Sequence, residues 1–163
     1  MKRIGVLSDT HGIVPKQVYT FFKDCDELWH AGDCGPGVLE ELKKFKPIKA
    51  VWGNIDNYEL HYEYPKINIF ECEGQKVVMT HIGGYPKHYE SNIRKLLLEV
   101  KPQIFICGHS HILKVMYDPE LELLHINPGA AGRQGFQKVS TLVRFTIDGE
   151  PKDLQILDFP KFQ

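Results

Sequence analysis

The 163 residues carry 20 Lys+Arg against 21 Asp+Glu, a formal net charge of −1, with 42% apolar and 25% charged residues. This describes one folded domain spanning 1–163, large enough to bury a core of its own, and it argues against a nucleic-acid partner, because phosphate-driven binding needs an excess of Lys and Arg. The first apolar run is too short for the core of an export signal, and no run reaches a membrane span, so the expected location is cytoplasmic with no membrane partner. Cys25, Cys34, Cys72 and Cys107 are scattered without a CxxC pair and read as reduced thiols.

The chain opens on a β-branched apolar run at 4–7, the signature of a short buried strand. Val18, Phe21, Phe22 and Cys25 then recur at helical spacing, and a second strand follows at 28–29. Val38, Leu42 and Phe45 form a shorter helical stripe, with Lys43 and Lys44 near its C-terminal end and Pro47 to stop it. Strands at 50–52 and 77–79 come next. The helical stripe Ile93, Leu96, Leu97 and Val100 ends before Pro102, and a fifth strand occupies 104–107. Strand and helix in alternation predict an α/β fold with a parallel sheet and right-handed crossovers.

Beyond residue 113 the pattern changes. Runs at 115–117, 121–126, 139–147 and 154–159 read as strands, with turn dipeptides at Asp118-Pro119 and Asp148-Gly149. Val139, Thr141, Val143, Phe145 and Ile147 alternate with Ser140, Leu142, Arg144 and Thr146, as in a strand with one face on a core. The expectation is a parallel α/β first half followed by a β-rich second half.

The chemistry lies directly after the apolar runs. Asp9-Thr10-His11 follows the first, Gly32-Asp33 the second and Gly53-Asn54-Ile55-Asp56 the third; His81 follows the fourth, and Gly108-His109-Ser110-His111 the fifth. In open α/β sheets, ligands bind outside the carboxyl ends of the strands. If the five runs are parallel neighbours, Asp9, His11, Asp33, Asn54, His81, His109 and His111 converge on one rim. Each motif alone is weak: a lone Asp-Thr-His is more often a capping turn, and a histidine at a strand end is more often a satisfied core residue. Five in order are not. Oxygen and imidazole donors without thiolate suit divalent ions, and seven exceed a tetrahedral structural site, so two ions are expected. Asp-x-His and His-x-His would each place two ligands on one side of an extended segment. Gly12, Gly32, Gly53 and Gly108 would permit tight turns and close approach of substrate.

In this order the blocks resemble those of the calcineurin-like metallophosphoesterases, D-x-H, G-D, G-N-H-E, a lone His and G-H-x-H. Asn127-Pro128-Gly129 is similar to a block of the short YfcE-like phosphodiesterase branch. The resemblance spans Asp9 to about Gly129. It implies a four-layer α/β/β/α sandwich of two mixed β-sheets flanked by helices. It implies one ion held by Asp9, His11, Asp33 and His111, and a second by Asp33, Asn54, His81 and His109. A hydroxide bridging the ions would attack phosphorus in line. Mn²⁺ is the first choice of metal, with Fe²⁺, Co²⁺, Ni²⁺ and Zn²⁺ fitting the same donors. The implied substrate is a small phosphodiester, and homo-oligomers are common in the family. One position departs from the pattern: Ile55 stands where the family has a histidine thought to protonate the leaving group or steady the transition state, which predicts weaker catalysis on poor leaving groups.

Around this set, His30 is expected either to orient Asp33 or to serve as a strand histidine bonded to backbone. Asp56 has no assigned role. Cys34 and Cys107 read as packing, while His61 and His125 carry no signal. Tyr85 and His88 follow Gly83-Gly84 in a loop that could touch substrate, and Arg133 could bring a cation to a phosphate. The rival to a hydrolase is a protein-binding scaffold of the same fold, like the retromer subunit with its degraded metal site; here all seven ligand positions are filled.

Overall fold

In the computed structural model, which describes residues 1–162, the elements begin β1 (Lys2–Leu7), α1 (Lys16–Phe21), β2 (Glu27–His30), α2 (Val38–Phe45), β3 (Ile48–Ala50) and α3 (Tyr58–Glu63). They continue β4 (Ile67–Cys72), β5 (Gln75–Thr80), β6 (Gly84–Tyr85), β7 (His88–Tyr89), α4 (Ser91–Val100) and β8 (Ile104–Ile106). The chain finishes with β9 (Leu113–Asp118), β10 (Leu123–Pro128), β11 (Val139–Asp148) and β12 (Glu150–Pro160).

Two five-stranded mixed sheets form, ordered β12-β11-β1-β2-β3 and β4-β5-β8-β10-β9, with β6 and β7 as a separate hairpin. The alternation of side chains in each strand assigns the layers. Ile4 and Val6 of β1, Val143, Phe145 and Ile147 of β11, Val77 and Met79 of β5 and Ile104 and Ile106 of β8 share one core between the sheets. Leu7, Leu28 and Leu142 turn the other way, onto Val18 of α1, Phe22, and Leu39 and Leu42 of α2. Val78 and Phe105 turn outward onto Ile93 and Leu97 of α4. The result is the α/β/β/α sandwich that the family resemblance implies.

The five motif-bearing runs are not neighbours in one sheet. β1, β2 and β3 are parallel in the first sheet, and β5 and β8 are parallel in the second. Nor do the two halves of the chain form separate regions. β11 pairs antiparallel with β1, Ile4 opposite Phe145, while β10 pairs parallel with β8. A strand buried on both faces needs partners on both edges, and those partners come from the far end of the chain. Both sets of carboxyl ends still meet at one rim, where the His81 ring beyond β5 lies 2.7 Å from the Ala31 carbonyl beyond β2.

Boundaries shift where the chain leaves a sheet early. The expected strand at 50–52 ends at Ala50, and α1 ends at Phe21 although its apolar spacing runs to Cys25. α3 was invisible to periodicity because none of its side chains is fully buried and only Leu60 packs against the core; Asn57 caps it by accepting the Leu60 N–H. β4 is a partly buried edge strand joined to β5 through Glu73-Gly74, both with positive φ (49° and 82°), as a type I′ hairpin turn requires.

His125 on β10 is fully buried, and neither ring nitrogen has a hydrogen-bond partner among the described residues. Burial, reinforced by Lys114 and opposed by Asp118, pushes its pKa down to about 4. An exposed histidine in the unfolded chain titrates near about 6.5, so the unfolded state takes up the proton first as pH falls. Stability present above that pH is therefore lost on acidification, with about 2 kcal/mol gone by about pH 5 from this residue alone. Urea unfolding of His125→Leu should show a correspondingly flatter pH dependence. An unchanged slope would contradict this account.

Candidate metal centre

Two buried carboxylates organise the rim. Asp9 follows β1, and its Oδ2 accepts from the Ser8 hydroxyl at 2.7 Å and the His109 N–H at 3.1 Å. Its Oδ1 is buried with no hydrogen-bond partner, 3.2 Å from His111 Nε2 and 3.8 Å from both His11 Nε2 and His81 Nε2. Asp33, after β2, repeats the arrangement. Its Oδ1 accepts the Ile55 N–H at 3.0 Å, while Oδ2 lies 3.1 Å from His81 Nε2 and 3.7 Å from His11 Nε2. Each carboxylate is thus anchored through one oxygen and presents the other to imidazole nitrogens.

Those nitrogens carry lone pairs. His81 Nδ1 faces the Ala31 carbonyl at 2.7 Å and His111 Nδ1 faces the Gln134 carbonyl at 3.0 Å, contacts that place each ring proton on Nδ1. A bare Nε2 lone pair against a carboxylate oxygen is repulsive unless a proton or a metal ion lies between them. The electrostatics show how strongly positive charge is favoured there. Burial would raise the carboxyls of both aspartates, but it is outweighed: His11 and His111 hold Asp9 well below its ordinary range, and His81 with the Ile55 N–H lowers Asp33. In return Asp9 raises His111, and Asp33 and Asp9 raise His81 against the opposing effect of burial.

Spacing suits a metal ion as well as a shared proton, and the number of converging donors favours the metal. Donors about 2.1 Å from one ion stand about 3–3.4 Å apart, matching the 3.1–3.2 Å separations. Donor atoms of Asp9, His11 and His111 form one cluster and those of Asp33, His81 and His109 a second, each within 4.8 Å. Asn54 Oδ1 joins the second, 3.1 Å from His109 Nδ1. Buried unpartnered atoms on Asp9, His11 and His81, with oxygen and imidazole donors throughout, fit a pair of divalent cations.

The backbone reaches this geometry differently from the sequence expectation. Asp9, His11, Asp33, His109 and His111 all have positive φ, between 48° and 72°. The ligands of Asp-x-His and His-x-His therefore leave left-handed turns, not alternate positions of an extended strand. His109 and His111 consequently divide between the two clusters. Such conformations cost about 1 kcal/mol or more each and persist where function requires them. Gly53 and Gly108 are needed for room rather than for substrate approach: a Cβ would collide with the Asp33 carboxylate at the first and with the Ser8 hydroxyl at the second.

His30 does not touch the Asp33 carboxylate. Its Nδ1 accepts the Gly32 N–H at 3.1 Å, so Nε2 donates to Thr10 Oγ1 at 3.0 Å, and Thr10 passes its own proton to the Cys34 carbonyl. Complete burial pushes its pKa down to about 4, and it braces the turns behind both aspartates as a neutral ring. Asp56 gains a role that the sequence left open. Its carboxylate accepts from the N–H groups of Gly53 (2.8 Å), Gly35 (2.9 Å) and Cys34 (3.2 Å), tying the Asn54 loop to the Asp33 loop. Arg133 lies over the Phe162 ring, and no contact joins it to the metal-ligand set. Cys34 and Cys107 are core residues. The Ala31 and Gln134 carbonyls and Ser8 carried no signal of their own, whereas Asn127, legible only as part of the Asn127-Pro128-Gly129 block, donates to the Gly108 carbonyl and the Ser110 hydroxyl.

Residues 1–150 match the calcineurin-like phosphoesterase superfamily domain, and the chain belongs to that family. A probable metallophosphoesterase of Methanothermobacter thermautotrophicus is 35% identical over 163 aligned positions, covering 94% of this chain and 91% of the relative. Among solved structures, an archaeal phosphodiesterase superposes with a TM-score of 0.76 at 21% identity over 96% of this chain and 99% of its own. Vps29 of Chaetomium thermophilum superposes at 0.75 with 12% identity, over 99% and 100%. At those identities the two structures establish a shared fold.

Asp56→Asn should weaken Mn²⁺ affinity by about 10–100-fold, as loss of a partner behind the ligands does in other metal sites. Competition with a chelator measures it, and wild-type affinity in the folded variant would show that Asp56 does not position the centre.

Proposed function

We propose that the chain hydrolyses small phosphodiesters with two divalent ions, Mn²⁺ the first to test. Asp9, His11, Asp33 and His111 would hold one ion, and Asp33, Asn54, His81 and His109 the other. The observation that carries this reading is that Asp9 and Asp33 each leave one carboxylate oxygen facing imidazole nitrogens, with Asp33 Oδ2 reaching toward both clusters. When bound, such an ion pair supplies an acidified water and neutralises charge developing on phosphoryl oxygens. The chain's own contribution is orientation: carbonyls fix the imidazole tautomers, and backbone N–H groups fix the carboxylates.

A diester rather than a monoester is favoured by the surroundings. Ile55, Ile82 and Ile112 each follow a candidate ligand and are exposed, giving the rim an apolar collar, with Lys66 and Lys114 farther out along the adjoining cavities. That collar suits the single charge and organic arms of a diester better than a dianionic monoester. The fold alone does not choose between a hydrolase and a partner-binding scaffold. The filled ligand set and its strained backbone support the hydrolase.

Protein stripped with chelator and reloaded with Mn²⁺ should cleave bis-p-nitrophenyl phosphate faster than p-nitrophenyl phosphate. Asp33→Asn should lose more than the roughly 10–100-fold typical of an outer partner. Faster monoester turnover, or undiminished activity in Asp33→Asn, would overturn the reading. Ile55→His should raise cleavage of an alkyl diester by about 100-fold, a general-acid contribution, and leave p-nitrophenyl release much less changed. Equal gains on both would show that the side chain at 55 does not assist the leaving group.

A further inference from the structure

Beside the candidate metal centre lies a cavity of ≈ 450 Å³ between the β6–β7 hairpin and the loop bearing His109, whose side chain is both a wall and a candidate ligand. Its size falls within the roughly 300–1,000 Å³ usual for small-molecule sites. Ile82, Tyr85 and Ile112 supply exposed apolar surface to it. The His88 ring lies 4.9 Å from that of Tyr85, and the Lys114 ammonium is 5.4 Å from the Tyr85 centroid. Flat aromatic surface at a cavity mouth favours a flat π-system over an alkyl chain.

The inner wall is not wholly apolar. His125 lines it just beneath the surface, its ring nitrogens closed to water and unpartnered among the described residues, so a seated ring meets them through a small shift of the wall. A neutral imidazole offers one donor and one acceptor, and leaving both unused in an apolar wall costs stability unless a ligand satisfies them. The Ser110 hydroxyl already accepts from the Ile112 N–H and from Asn127 Nδ2, which leaves its own proton to donate. Donors and an acceptor together match the edge of a heterocycle better than a plain hydrocarbon ring.

We propose that this cavity binds a nucleobase-like heteroaromatic ring on one ester arm of the substrate, flat against Tyr85 and read by His125 and Ser110. Its catalytic meaning rests on the phosphodiesterase reading above, while the binding of the ring does not. With phosphorus at the metal centre, the ring-bearing arm would extend past His109 into the cavity.

Thymidine, which contains no phosphorus and cannot be turned over, tests the cavity alone. In ¹H–¹⁵N spectra of the protein loaded with diamagnetic Zn²⁺ it should shift amides at 82–89 and 108–114, and these shifts should vanish in Tyr85→Ala and in His125→Leu. Turnover then compares the thymidine, phenyl and methyl esters of p-nitrophenyl phosphate, which share one leaving group. The thymidine ester should exceed the methyl ester in kcat/KM by about tenfold, the size of one base–aromatic stacking contact, with the phenyl ester between them. Tyr85→Ala should bring that ratio close to one. No thymidine-induced shifts, or equal turnover of the three esters, would overturn the proposal and leave the phosphodiesterase reading standing. A phenyl ester as good as the thymidine ester would also overturn it, as a plain apolar slot. Thymidine shifts without cleavage of any ester would uphold the cavity and count against the phosphodiesterase reading.

Discussion

Buried carboxylates facing imidazole lone pairs are the constraint on which the rest of this molecule depends. Asp9 and Asp33 are removed from water, and each gives one oxygen to fixed donors and the other to nitrogens whose rings have already committed their protons to backbone carbonyls. A charge so placed is expensive unless a cation completes it. The protein retains that arrangement and adds strain to it, holding five of the ligand residues at positive φ.

The architecture follows from satisfying that rim. Two sheets are needed because the ligands come from two directions, Asp9 and Asp33 from the ends of β1 and β2 and His81 and His109 from the ends of β5 and β8. The apolar core between the sheets sets their separation. Behind the ligands, His30 and Asp56 add side-chain hydrogen bonds to loops already tied by the backbone, as by the His11 N–H to the Asp33 carbonyl. Gly53 and Gly108 keep the carboxylates and Ser8 close to backbone. Rigidity around the centre is therefore a property of hydrogen bonds to backbone more than of side-chain packing.

Much of this was legible in the sequence, and the reasons differ by element. The motif-bearing strands are short β-branched runs followed at once by polar ligands, so both strand and site could be read together. Helices α2 and α4 announced themselves by apolar stripes that end before prolines. Sheet membership could not be read, because hydrophobic runs buried on both faces look alike in either sheet; β11 pairing with β1 is a contact across nearly the whole chain. α3 has no fully buried side chain, only Leu60 of it packing against the core, and left no periodic trace. The left-handed turns at Asp9 and His109 were hidden because residue spacing is the same for an extended segment and for a turn. Asp56 was assigned no role because its partners are backbone N–H groups, which no sequence pattern displays. His125 carried no signal for the opposite reason: its importance lies in partners it lacks.

The most direct test of the central claim is the stoichiometry and magnetic coupling of bound Mn²⁺, from equilibrium dialysis with elemental analysis and from electron paramagnetic resonance. Two ions per chain with a spin-coupled spectrum is the result expected if Asp33 serves both ligand clusters as proposed, at the separation of about 3.5–4 Å common to paired-metal sites. A single ion with an isolated Mn²⁺ spectrum, or no bound ion at saturating metal, would contradict it.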